Sequence, residues 1–136
     1  MPALGDEPAV LVLNGLLEEW EKLTLAETKA IHTDDWRHLH NVQSRKASLQ
    51  QSIQDSEHSV FENSSLSDER KQSVRSRLRE TAAKLLALEQ SNQEVLTKRI
   101  TETDGDLKQS NRAISGLREV QKAYGRSGRS FWQAYS

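Results

Sequence analysis

The residues whose types come nearest to chemistry are four histidines, at positions 32, 38, 40 and 58, and the pair Asp35-x-x-His38. An acid three residues before a histidine on a helix is half of a carboxylate-bridged metal site. The other half must come from a second such pair and two further glutamates on facing helices, and the second pair is read as absent. His38 and His40 are two apart, so on a helix they point to different faces and cannot chelate together. All four histidines are expected on solvent faces. The chain has no cysteine, which excludes disulfides and thiol catalysis. It also lacks a glycine-rich phosphate loop, a His-Glu-x-x-His pair and a nucleophile motif. The expectation is a protein that is not an enzyme and needs no cofactor and no metal.

A second chemical candidate is the basic run Arg70-Lys71-Gln72-Ser73-Val74-Arg75-Ser76-Arg77-Leu78-Arg79. Lys71, Arg75 and Arg79 recur every four residues and form one stripe on a helix. A nucleic-acid surface would add aromatics or a reading helix, and neither is nearby. The stripe reads as a solvated face, partly paired with acids of the first arm. The net charge of -1 gives no reason to expect nucleic acid or an anionic membrane as partner.

The elements that would carry these residues are long helices. Both prolines, Pro2 and Pro8, precede the first helical pattern, and a proline inside a helix costs about 3 kcal/mol. Val10, Leu13, Leu16, Leu17, Trp20 and Leu23 mark one helical face. The pattern weakens at Thr33-Asp34-Asp35, where a kink or a fresh cap would fit. It resumes through Trp36, Leu39, Val42, Lys46, Leu49, Ile53 and Val60 as a heptad seam. Lys46 on that seam is expected to lay its stem on apolar neighbours and reach water with its ammonium.

The polar break Glu62-Asn63-Ser64-Ser65-Leu66-Ser67-Asp68 ends this arm. Serine, asparagine and aspartate bond their own backbone and favour turns. Ser65 or Ser67 would cap the next helix, with Asp68 and Glu69 in its first turn. The seam then runs through Val74, Leu78, Ala82 (or Thr81), Leu85, Leu88, Asn92 and Val95. Asn92 either fixes register or is tolerated at a partly wet position. Beyond it the seam thins to Ile100, Leu107, Ile114, Leu117, Val120 and Tyr124, with the helix expected to continue through Gly105.

The predicted fold is therefore all-α. It is a single domain built as a long antiparallel, coiled-coil-like hairpin, with room for a short C-terminal amphipathic segment to pack back as a third helix. Arm one covers about 9–61, the turn 62–67, arm two 68–124 and an aromatic tail 125–136. Each arm would be roughly 75 Å long at 1.5 Å per residue. The start of arm one is expected against the end of arm two, with Gly15 and Gly116 permitting close approach. The charges agree: eight acids against two lysines up to Asp35, and five bases against Glu119 from Arg112 onward. In the tail, Phe131, Trp132 and Tyr135 are three of the chain's seven aromatics. They form either a lid on the hairpin or an anchor for a partner. Asp6 and Glu7 stand where a signal peptide would be basic, and no apolar run approaches a membrane span. A soluble, cytoplasmic protein without membrane insertion is expected.

Three segments in order resemble FlgN-type flagellar export chaperones. Glu27-Thr28-Lys29-Ala30-Ile31-His32-Thr33-Asp34-Asp35-Trp36, with Leu39, Lys46 and Leu49, looks like the first helix of that family. Leu88-Glu89-Gln90-Ser91-Asn92-Gln93-Glu94-Val95-Leu96 is similar to its asparagine-containing stretch, and Tyr124-Gly125-Arg126-Ser127-Gly128 to its Tyr-Gly ending. The resemblance implies a cytoplasmic chaperone for late flagellar substrates, the hook-filament junction or hook-associated proteins. It would bind their C-terminal helices and deliver them to the gate or ATPase components of the type III export apparatus. The receptor would be Leu107, Ile114, Leu117, Val120 and Tyr124, joined by Phe131, Trp132 and Tyr135 if the tail is an anchor. The rival reading is a self-associating structural coiled-coil scaffold, and either a monomer or a homodimer fits.

Overall fold

A computed structural model describes residues 7–62 and 65–106, with the side chains of 103–106 excepted. These residues form three helices: α1 (Pro8–His32), α2 (Trp36–Glu62) and α3 (Asp68–Asp106). The all-α class and the antiparallel packing agree with the sequence reading. The pairing of segments does not. The chain reverses fully at Thr33-Asp34-Asp35, so α1 lies antiparallel on α2, and α3 returns alongside both.

Three residues build that reversal. The Asp35 amide donates to the Ala30 carbonyl at 2.9 Å, and the Asp34 amide to the Ile31 carbonyl at 3.3 Å. This pair of bonds closes a helix in the Schellman manner, with the residue at the bend left-handed. That residue is Asp34, at φ 56°, where glycine is commoner. Asp35 then caps α2: its Oδ1 accepts the His38 amide at 3.2 Å, the bond an N-cap aspartate makes. The expected fresh cap is present, and the left-handed bend before it makes it a reversal.

The second break follows the sequence reading closely. Ser67 Oγ accepts the Arg70 amide at 3.2 Å, which makes Ser67 the cap of α3, and Asp68 and Glu69 occupy its first turn. Ser65 instead donates to Glu7 Oε1 at 2.9 Å. The start of α1 thus lies at this break; the end of arm two, expected against it, lies outside the described residues. A methyl group at Gly15 would meet nothing within 4 Å, and Gly116, its expected partner, lies outside the described residues.

Two apolar clusters hold the bundle. The larger joins Val10, Leu13, Leu17 and Trp20 of α1 to Ile53 and Val60 of α2 and to Val74, Leu78, Ala82 and Leu85 of α3. The smaller, at the other end, joins Ala30 and Ile31 to Leu39, Leu96 and Ile100. Every helix shows apolar residues at three- and four-residue spacing, and burying those faces against one another is the main source of stability. The α3 helix passes through Gly105 as expected and is described to Asp106.

Candidate functional site

Between the two apolar clusters the core is polar. Lys46 on α2 is 5% exposed, and Glu27 on α1 and Glu89 on α3 are more enclosed still. Its Nζ lies 2.5 Å from Glu27 Oε1 and also bonds Glu89 Oε1. The expected route of Lys46 to water is therefore wrong. One helix presents the ammonium, and the other two each present a carboxylate. A charge without partners is too costly to bury, so the ammonium stays inside because two anions meet it there.

The surrounding groups are arranged around those charges. Trp20 donates from Nε1 to Glu89 Oε1 at 3.0 Å, and its ring centroid lies 4.5 Å from the Lys46 ammonium, within cation–π range. Gln43 donates to Glu27 Oε2 at 2.7 Å. The Thr24 hydroxyl has one hydrogen and two acceptors in reach, the Trp20 carbonyl at 2.9 Å and Glu89 Oε1 at 3.3 Å. Glu89 Oε2 has no hydrogen-bond partner among the described residues, and the Lys46 ammonium is shared by two carboxylates.

Asn92 completes the network one turn further along α3. It is 3% exposed. Its Oδ1 accepts from the Thr28 hydroxyl at 2.7 Å, and its Nδ2 donates to the Thr24 carbonyl at 3.0 Å. Of the two readings open for Asn92, register fixing is the one realised: a one-residue slip of α3 would lose both bonds. Glu89 and Leu96 take buried places where the heptad reading put Leu88 and Val95, which are only half-buried.

Sequence reasoning missed Glu27, Glu89, Trp20 and Thr24 as a set. The signal was present: Glu27 falls on the apolar face between Leu23 and Ala30, and Glu89 stands four residues after Leu85 and three before Asn92. A charged residue in apolar register on each of three helices, one basic and two acidic, is a buried ion cluster waiting to be matched.

All four histidines are exposed. A second acid-x-x-His spacing does exist, Asp55-x-x-His58, but it lies on α2 with Asp35-x-x-His38 at its start. The two pairs therefore cannot face each other across the bundle. Among the described residues no three His, Asp or Glu side chains converge on a metal-sized site. In the basic stripe Arg75 and Arg79 are exposed and Lys71 is half-buried, and the Arg75 guanidinium stands 4.8 Å over the Phe61 ring. No helix among the described residues is long and apolar enough to cross a membrane. The eight residues expected to bind a partner, Leu107, Ile114, Leu117, Val120, Tyr124, Phe131, Trp132 and Tyr135, lie outside the described residues.

The chain matches no protein-family model, no curated protein and no solved structure. The functional reading therefore rests on the chain's own residues. Several of those behind the resemblance to export chaperones, Glu27, Lys46, Glu89 and Asn92, are the buried network itself. They serve the architecture first.

Proposed function

We propose that this protein is a non-enzymatic cytoplasmic export chaperone. It holds the C-terminal helix of a late flagellar substrate of the hook-filament junction class and passes it to the type III export apparatus. The observation that carries this reading is the overhang of α3. Ile100 is its last residue in the described core clusters. The helix continues to Asp106, past the level at which α1 and α2 turn back. The chain then enters 107–124, where Leu107, Ile114, Leu117, Val120 and Tyr124 form a sparse apolar line. The main apolar faces of α1 and α2 are already committed to each other and to α3. An incoming amphipathic helix is the natural complement to such a line. The same packing favours this reading over a self-associating scaffold, because the described seam is buried within one chain.

The test is calorimetric titration of the full chain with C-terminal peptides of hook-associated proteins from the same organism. Micromolar or tighter binding with a negative heat-capacity change is expected. Leu117→Asp should abolish that binding while helicity by circular dichroism is unchanged. Absence of heat at all temperatures, with mass rising with concentration in sedimentation, would replace the chaperone by the scaffold.

A further inference from the structure

The half of the α1–α2 hairpin beside the break at Ser67 carries one sign of formal charge. Residues 7–21 hold four acids and residues 47–62 three, and neither stretch contains a lysine or an arginine. A shallow groove of about 530 Å³ runs between them, lined by Ala9, Val12 and Leu16 on one side and Ser52, Ser56 and Ser59 on the other. The α1 wall is apolar and open, with Val12 55% exposed. The α2 wall is made of small side chains, which let another backbone come close.

The bases of α3 do not neutralise this side. Glu21, which pairs with Lys84 of α3, lies on the opposite side of α1 from Val12 by helical spacing. Phe61, which carries the Arg75 guanidinium, lies on the opposite side of α2 from Ser52 in the same way. Both helices therefore turn the groove away from α3. The charges at the groove are acidic. Asp55 stands in its α2 wall, Glu19 lies three residues past Leu16, Glu62 lies three past Ser59, and all three acids are exposed. Because α1 and α2 run antiparallel, Glu19 and Glu62 mark opposite ends of the groove, with Asp55 between them.

Ser56 is a second, independent sign that the groove takes an occupant. It lines the groove and is 8% exposed, and its Oγ has no hydrogen-bond partner among the described residues. A helical serine commonly satisfies itself on the carbonyl four residues back, as Ser44 and Ser59 do here. Leaving a buried hydroxyl unpaired is unfavourable, and a polar side chain arriving in the groove removes that penalty.

We propose that this groove docks a helix of a partner protein, one with an apolar stripe flanked by lysine or arginine. The sign of the charge selects this class, because an acidic surface repels nucleic acid and anionic lipid. Pro8 to Leu16 spans about 12 Å, two turns of helix. Apolar side chains four residues apart on the partner lie on Val12 and Leu16, and its flanking bases meet Glu19, Asp55 and Glu62. Such complementarity sets orientation and rejects acidic competitors. The site is separate from the receptor line in 107–124, and the inference does not rest on the chaperone reading.

The experiment titrates the isotope-labelled full chain with a synthetic helix that has leucines on one face and lysines flanking them. Saturable amide shifts confined to 8–16 and 52–59 are expected, weaker at high salt. Val12→Lys and Asp55→Lys, both at exposed positions, should each weaken binding about tenfold while circular dichroism stays unchanged. Leu117→Asp should leave it unaltered, which separates this site from the one proposed for export substrates. Absence of shifts, or shifts centred elsewhere, overturns the proposal. So does equal binding of a helix with glutamate in place of lysine, since charge would then not be read. Equal binding of a leucine-free lysine helix overturns it too, because the groove would add nothing to the charge. If sedimentation shows self-association that Val12→Lys abolishes, a second copy is the occupant and the proposal fails.

Discussion

Lys46 and Glu89 touch the same atoms, yet their replacement should have different consequences. Lys46→Met removes the ammonium that Glu27 and Glu89 both bond and leaves two enclosed carboxylates without it. Breaking a buried pair in this way costs about 3–5 kcal/mol, a large part of the roughly 5–15 kcal/mol that holds a domain. Glu89→Gln keeps the Lys46–Glu27 pair and an amide oxygen to accept from Trp20. It removes one of the two carboxylate charges that Lys46 bonds, and its stability should stay within about 1 kcal/mol of the parent. Urea melts of the two variants check this. Equal losses would mean that the second carboxylate is as necessary as the ammonium. The network was only partly legible in the sequence, for a physical reason. A lone lysine in apolar register ordinarily reaches water along its own helix. The partners that keep this one inside are 19 and 43 residues away, and local periodicity carries no information about them.

At the scale of elements, what was legible depended on whether local chemistry or long-range pairing decided the outcome. The cap at Ser67 follows from its side chain and its position before Asp68 and Glu69, and it was readable. The break at Thr33-Asp34-Asp35 was readable as a break, but its angle was not. That angle depends on Asp34 adopting a left-handed conformation that a glycine would have announced. Asp34→Gly should therefore be neutral or stabilising by up to about 1 kcal/mol, whereas Asp34→Val should destabilise by at least that much. Gly15 gives a cleaner test. The sequence suggested a close approach there, and the structure places open space around it. Gly15→Ala should raise stability by about 1 kcal/mol, the helix-propensity difference, seen as a higher thermal midpoint. A loss would mean that another backbone does pack on that position in the working protein.

At the scale of the whole molecule, the apolar clusters of the described residues run from Val10 to Ile100 and draw on all three helices, so residues 7–106 share a core along the length of the bundle. A segment whose work is to bind a partner should add only modestly to such a core. A chain ending at Asp106 should accordingly keep a cooperative thermal transition, with a midpoint within several degrees of the full chain. It should also lose all affinity for the partner peptide, since Leu117 and its neighbours are gone. Sedimentation, circular dichroism and calorimetry on the same preparation separate the cases. Cooperative melting with no peptide heat divides the molecule into a folded body and a binding segment. A broad, non-cooperative melt would place 107–136 inside the core, and the apolar line at Leu107, Ile114, Leu117 and Val120 would then be structural, with the receptor to be sought elsewhere on the bundle.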